Sequence, residues 1–285
     1  MSSIVLAQSF DPKRFKEQER AGYNLIAARY EQASGAREPV KARLLDLAAL
    51  RPGQTVLDVA SGPGMLAREA ARRVAPGGTV VATDIAEAAL DAGRERAAEE
   101  DIPNICFQVE DAESLSFAGD RFDRVVSSLG FMHFPAAADA ARETFRVLRP
   151  GGRLAAAVWG AEERVPLLSC ALRCLQRNLP PPRVERPSVF RFGTPGAFTS
   201  LLADAGFGSI RIESIAITAA FADAAEYWST FLDLAGVTAV ALAKLPQDVQ
   251  EHLARDVALD LAPYGSAAGY TLSGEVLIAT AVKPG

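Results

Sequence analysis

The chain has 285 residues, 49% of them hydrophobic, enough for one large α/β core or for a core with an added cap. A formal charge of -5 lacks the basic excess of a general nucleic-acid binder, and no apolar run approaches the length of a membrane span. The opening MSSIVLAQSF has neither the basic start nor the long apolar centre of a signal peptide, and Cys106, Cys170 and Cys174 fit a reducing cytoplasm better than a disulfide framework.

In chain order, Asp11-Pro12 opens a helix-like segment that reaches Tyr30, with Asp11 as its N-cap. Its aromatic residues Phe15, Tyr23 and Tyr30 can anchor the segment on the core or close over a bound ligand as a lid. A second helix, Glu38 to Leu50, places Val40, Leu44, Leu45 and Leu47 at helical spacing, and Arg51-Pro52-Gly53 ends it.

The next stretch, Thr55 to Ala67, organises the rest. A short apolar run containing Asp58 breaks into Ser61-Gly62-Pro63-Gly64 and restarts as a helix from Met65 to Val74. That is the form of a buried strand, a tight turn and a helix start, and glycine lets backbone amides come close to a ligand. The run from Gly62 to Ala67 fits the loose G-x-G-x-x-G/A form, which serves several cofactors. Asp58 is the sharper clue. A carboxylate at this strand end opposes a pyrophosphate and favours a ligand with a cationic amino group and a sulfonium. S-adenosylmethionine carries both charges and no phosphate. Arg68, Arg72 and Arg73 read as the solvated face of the helix.

A second strand, Thr79 to Thr83, ends at Asp84, where a carboxylate can accept both hydrogen bonds of a ribose diol. Ile85 follows and can cover one adenine face. After a helix from Ala86 to Ala98, a third strand, Ile105 to Val109, leads to Glu110-Asp111-Ala112-Glu113, where an acid can accept from an adenine amino group. The fourth strand, Phe122 to Ser128, runs into Leu129-Gly130-Phe131-Met132-His133-Phe134 at the edge where open α/β sheets place ligands. His133 can act there as a general base or simply shape the pocket wall. A helix from Ala136 to Leu148 and a fifth strand from Arg153 to Trp159 complete the alternating part, with Trp159 either in the core or on an acceptor wall.

Beyond Gly160 the pattern changes. A helix from Pro166 to Asn178 carries Cys170 and Cys174 on one face, with no histidine near enough for a metal set, and reads as holding buried thiols. Pro180-Pro181-Pro182 and Pro187 form a stiff linker, and Phe190-Arg191-Phe192-Gly193 brings aromatic and cationic groups together. Then come a helix from Thr194-Pro195 to Ala205, a sixth strand from Ser209 to Ile217, helices over Phe221 to Gly236 and Pro246 to Leu261, and a last strand from Glu275 to Val282. His252 reads as a surface residue.

These motifs resemble the class I S-adenosylmethionine-dependent methyltransferases, and among them the branch named for ubiquinone and menaquinone C-methyltransferases. The resemblance is carried in order by VLDVASGPG at 56–64, VVATD at 80–84, VEDAESL at 109–115, FDRVVSSLGFMHF at 122–134 and FRVLRPGGRLAAAVW at 145–159. It implies Asp58, Gly62 and Gly64 around the methionine part, Asp84 on the ribose, and Asp111 with Ala112 at the adenine. Ala60, Ile85, Ser128, Tyr23 and Tyr30 are further cofactor-binding candidates. It also implies an α/β, doubly wound, Rossmann-like sheet of seven strands, the last antiparallel, with a helical cap. Residues 1–50 would be a helical lid, 51–160 the cofactor-binding core, and 161–285 the cap helices with the last two strands.

The expected reaction moves a methyl group to carbon or oxygen of a small hydrophobic or aromatic metabolite, in quinone-like or secondary metabolism, and leaves S-adenosylhomocysteine. Phe131, Trp159, Phe192, Trp228 and Phe231 are the candidates for the acceptor pocket, and His133 for the base. No metal, nucleic-acid partner or membrane partner is expected, and the oligomeric state stays open, with a homodimer among the candidates. Two other readings differ in kind. In one the S-adenosylmethionine is structural and the cap does other chemistry or none. In the other the chain is an NAD-type oxidoreductase, which Asp58 and the acid after the third strand disfavour.

Overall fold

Asp58 lies in β1 (Thr55–Val59), an inner strand of the sheet. The computed structural model describes residues 10–180 and 186–285, so nearly all of the opening stretch read above, and Pro181 and Pro182 of the linker, lie outside the described residues. The apolar runs form strands because neighbours bury both faces of each: Val56, Leu57, Val80, Val125 and Val126 are all buried. Strands β2 (Thr79–Asp84), β3 (Ile105–Val109), β4 (Phe122–Ser128) and β5 (Leu148–Trp159) pair in parallel around β1. Two long strands follow, β6 (Gly208–Phe221) and β8 (Gly269–Val282), and a two-residue β7 (Gly265–Ser266) pairs with β8.

The sheet order is β3-β2-β1-β4-β5-β8-β6, and β8 runs antiparallel to both of its neighbours. The expected strands and the antiparallel last one are all present. The chain winds outward from β1 in one direction and from β4 in the other, so a crevice opens beyond the carboxyl ends of these two strands. Helices α3 (Met65–Val74), α4 (Glu87–Glu99) and α5 (Ala137–Val147) connect the parallel strands, and α2 (Glu38–Ala48) packs below β4 and β5.

Several boundaries differ from the sequence reading. β6 and β8 extend well past the core, because residues 218–221 pair with 270–273. Phe221 therefore ends a strand and does not begin a helix. The extension packs its apolar face, Phe221 and Leu272, into a second buried cluster. Helices α6 (Pro166–Asn178), α8 (Ala224–Leu234) and α10 (Gln247–Leu261) supply the rest of that cluster, while α7 (Pro195–Asp204) joins the main core through Phe198 and Leu202. Cys170 and Cys174 are buried there, and burial pushes both thiols up to about 11.

The first helix, α1 (Pro12–Ala33), lies across the carboxyl edge of the sheet and touches α4, α8 and α9 (Gly236–Leu242). Asp11 caps it by accepting from the Arg14 amide at 3.1 Å. Its closest approach is to α9, where an added Cβ on Gly22 would lie 2.4 Å from the Val237 nitrogen. None of the described helices is long and apolar enough to cross a membrane.

Arg68 corrects the sequence reading. It is buried, not solvated, with 4% exposure. Its guanidinium donates to the Pro63 carbonyl at 2.7 Å and pairs with Glu31 on α1 and with Glu100 after α4. One side chain thus ties the glycine turn to two helices. Replacing it leaves Glu31 and the Pro63 carbonyl without this partner while Glu100 keeps Arg72, so Arg68→Met is expected to destabilise the protein by about 2 kcal/mol in urea unfolding. A loss below about 1 kcal/mol, the level of an exposed pair, would refute that role.

Candidate active site

The carboxyl ends of β1, β2 and β4 meet under α1 and form a cavity. Asp58, Ala60, Gly62, Asp84, Ile85, Asp111, Ala112 and Ser128 line it, and Tyr23 and Tyr30 enter from α1. The sequence singled out each of these separately, and the fold brings them together.

Asp58 is 1% exposed, and neither carboxylate oxygen has a hydrogen-bond partner among the described residues. Burial, with the neighbouring charge of Asp84, holds its carboxyl well above the usual carboxylate range. Such an orphaned acid facing a cavity fits a cationic ligand group. Asp84 is placed differently. It accepts from the Gly62 amide and from the Ala86 amide, both at 2.9 Å, which clamps the glycine turn against the end of β2. Burial also raises its carboxyl, and these amides oppose the rise.

The two glycines of the turn do separate jobs. A Cβ on Gly62 would meet only the edge of the Tyr30 ring, at 4.0 Å, so this position looks into the cavity. Gly64 does not line it, contrary to expectation. Its φ is +74°, and a Cβ there would lie 2.6 Å from the Phe107 ring, so packing and backbone conformation demand the glycine. Ala60 and Leu129, at the ends of β1 and β4, hold φ near +56° and +59° without being glycine. Strained residues of this kind persist where the surroundings over-determine them, often at ligand sites.

The Asp111 end of the cavity is closed by a contact the sequence did not show. Lys16 of α1 reaches Asp111 at 2.6 Å and also pairs with Glu113. Asn24 accepts from the Ala88 amide at 2.9 Å, so α1 is fastened along this side of the cavity.

A second, largely apolar cavity lies beyond the first, between α1, α6, α8 and the ends of β5 and β6. Trp159 and Phe231 line it. Three other acceptor candidates do not. Phe131 is fully buried, with its ring 5.4 Å from Phe134 and 6.3 Å from Phe198. Phe192 stacks on Phe198 at 6.3 Å, and Trp228 packs on Phe231 at 5.8 Å inside the cap cluster. Phe131 and Trp228 belong to the buried core, and Phe192 packs half-buried against it, each held by aromatic neighbours.

Glu19, Tyr23, Tyr30, Arg37, Leu129 and His133 line both cavities and make the partition between them. Arg37 donates to the Tyr30 hydroxyl at 2.7 Å and stands 5.6 Å from the Trp159 ring centre. His133 touches the Tyr23 hydroxyl through Nε2 at 3.3 Å. Burial, then Arg37 and Arg191, pushes its imidazole down to about 4, with Asp84 working the other way, so the ring is neutral at physiological pH. The sequence pointed to His133 and the tyrosines but missed Glu19, Arg37 and Lys16. These are ordinary polar residues on helical faces and give no local signal.

A family model described as a methyltransferase domain matches residues 56–152. Nocamycin O-methyltransferase of Saccharothrix syringae is 34% identical over 206 residues, covering 67% of this chain and 73% of that protein. The chain belongs to the class I S-adenosylmethionine-dependent methyltransferases. Within this methyltransferase family it is similar to the ubiquinone/menaquinone biosynthesis C-methyltransferase of Ectopseudomonas mendocina (strain ymp), at 37% identity over 138 residues. That match covers 46% of this chain, which spans only about half, 54%, of the relative. Among solved structures, phosphoethanolamine N-methyltransferase 2 of Haemonchus contortus, in complex with S-adenosyl-L-methionine, superposes with a TM-score of 0.62 at 20% identity. The superposition covers 95% of this methyltransferase chain and 60% of the other, and it shows the shared fold. Family membership removes the NAD-type oxidoreductase reading.

Proposed function

We propose that this chain methylates carbon or oxygen of a small hydrophobic or aromatic metabolite, with S-adenosylmethionine in the first cavity and the acceptor in the second. The observation that carries the reading is the partition: two cavities, one ringed by acids at the strand ends and one that brings Trp159, Phe221 and Phe231 together, share a single wall of six residues. When bound, S-adenosylmethionine supplies a sulfonium-activated methyl group, which passes to an acceptor lone pair and leaves S-adenosylhomocysteine. Asp58 would hold the cationic amino group, Asp84 the ribose diol, and Asp111 with Ala112 the adenine. Residues 1–50 would act as a lid over the donor, residues 51–160 would bind it, and residues 161–285 would supply the cap helices over the acceptor together with the last two strands of the core sheet. The protein's part is then alignment and exclusion of water, which can supply up to about 7–11 kcal/mol of the barrier in favourable cases. His133, neutral and on the partition, is placed to take a proton from the acceptor.

This reading includes a cytoplasmic location, a small-molecule acceptor in quinone-like or secondary metabolism, and no nucleic-acid or membrane partner. The formal charge of -5 and the apolar lining of the second cavity support it.

Calorimetric titration with S-adenosylmethionine, S-adenosylhomocysteine and NAD tests the donor assignment. Both adenosyl ligands are expected to bind, NAD is not, and Asp84→Ala should weaken adenosyl binding about a hundredfold through two lost charge-assisted hydrogen bonds. Tight NAD binding without an adenosyl signal would overturn it. Methyl uptake from labelled donor by a panel of phenols and quinols then separates a catalytic from a purely structural role of the donor.

A further inference from the structure

Glu19 lies in the body of α1 with 3% exposure, a burial that carboxylates avoid unless they are paired. One carboxylate oxygen pairs with the Arg186 guanidinium, and the other lies 3.4 Å from Nδ1 of His133. On the far edge of the ring, Nε2 faces the Tyr23 hydroxyl at 3.3 Å. Both ring separations exceed the usual hydrogen-bond mode, as is common for catalytic groups before substrate closes the site.

An ionised carboxylate can only accept hydrogen bonds. A neutral imidazole 3.4 Å from it is favoured with its hydrogen on Nδ1, and Nε2 then accepts from the Tyr23 hydroxyl in the partition until an acceptor takes that place. This Nδ1–H form is the opposite of the tautomer that histidine favours in water. Arg186 holds the other carboxylate oxygen, so the Glu19 side chain cannot rotate away, and Arg186 is itself seated on the Phe15 ring at 4.7 Å. The remaining charged and titratable neighbours of the ring are Tyr23 on α1, Arg37, Arg191 and Asp84.

We propose that Glu19 is a positioning residue that fixes His133 in its Nδ1–H form and aims Nε2 at the proton of the acceptor. This rests on the methyltransferase reading in one respect, that the acceptor occupies the second cavity. In the step, the O–H or acidic C–H bond of the acceptor breaks. Its proton joins Nε2, and the electron pair stays on the acceptor atom as the nucleophile. The imidazolium that forms points Nδ1–H at the Glu19 carboxylate, which stabilises it, and the ring later releases the proton to solvent. The class of acceptor this serves is one with an ionisable hydroxyl or enolisable carbon, not a tertiary amine or thioether.

The chain contains two histidines, so nitrogen-15 NMR of histidine-labelled protein reads the ring directly, with His252→Gln to assign the signals. The wild-type protein is expected to show the Nδ1–H tautomer at His133. Glu19→Leu should move it to Nε2–H and lower kcat about a hundredfold while KM and S-adenosylhomocysteine binding are kept. Arg186→Met, which frees the Glu19 side chain to rotate, should shift the ring part of the way towards Nε2–H. An Nε2–H ring in the wild type would overturn the proposal even if Glu19→Leu fails to fold. So would a Glu19→Leu protein that keeps the wild-type tautomer, which would make Glu19 only the partner of Arg186. Failure of the adenosyl ligands to bind would instead overturn the donor assignment, and the tautomer would still decide the part played by Glu19.

Discussion

Asp58→Asn is expected to bind S-adenosylmethionine about 30- to 1000-fold more weakly, a loss of about 2–4 kcal/mol, and at the same time to stabilise the ligand-free protein. The two effects share one cause. A carboxylate with 1% exposure and no hydrogen-bond partner is costly in the empty protein, and it becomes useful only against a cation. Because burial raises the Asp58 carboxyl in the folded state, the folded protein keeps a proton that the unfolded chain has already lost. The unfolded state then binds fewer protons, so stability falls as the pH rises from the ordinary carboxylate range towards the raised value. Asparagine has no proton to lose. The stability gain of Asp58→Asn should therefore be near zero at the acid end and grow to about 1–3 kcal/mol at neutral pH. Urea unfolding of ligand-free protein across that range, with donor titration of the same samples, checks both signs. Unchanged donor affinity would remove Asp58 from the donor site.

The second large effect is expected at the crossing of α1 and α9. A Cβ on Gly236 would lie 2.4 Å from the carbonyl carbon and oxygen of Gly22, and backbone cannot yield as a side-chain tip can. Gly236→Val must push α9 off α1, at a cost of about 3 kcal/mol. Gly22 lies between Glu19 and Tyr23, so the displacement also moves the partition. Acceptor KM should rise with the loss of stability. Gly196 in α7 is the control, since an added Cβ there meets nothing within 4 Å and alanine should be tolerated. If Gly236→Val unfolds at the wild-type midpoint, the lid is not held by this crossing.

Much of the lining of the first cavity was legible before any coordinates. Asp58, Asp84 and Asp111 each follow or end an apolar run, and each is followed by turn or helix signals. Parallel strands with right-handed crossovers must bring those ends to one edge. The donor side is therefore written in local, consecutive residues, and Gly62 could be read in the same way. Gly64 was assigned for the wrong reason: its neighbour is Phe107, and nothing in the run from 61 to 67 names that contact.

The acceptor side was not local. Phe131, Phe192, Trp228, Trp159 and Phe231 look alike in sequence, because an aromatic side chain satisfies a core and a ligand wall equally well. Only packing sends Phe131 and Trp228 into the interior, seats Phe192 against it, and leaves Trp159 and Phe231 on the cavity. Arg68 and Glu19 lie on helices whose composition reads as solvated. Each is buried because a distant segment covers it with an opposite charge: Glu31 and Glu100 for Arg68, Arg186 for Glu19.

The sequence by itself determined the family, the cofactor, the strands with the antiparallel last one and the acids that ring the first cavity, since these depend on periodicity and on chemistry within a few residues. The tertiary structure alone decided the partition, the Glu19–His133 contact and the crossing of Gly22 with Gly236. Those depend on which faces of non-adjacent helices meet, and side-chain period shows that a face is apolar or polar without naming what will cover it.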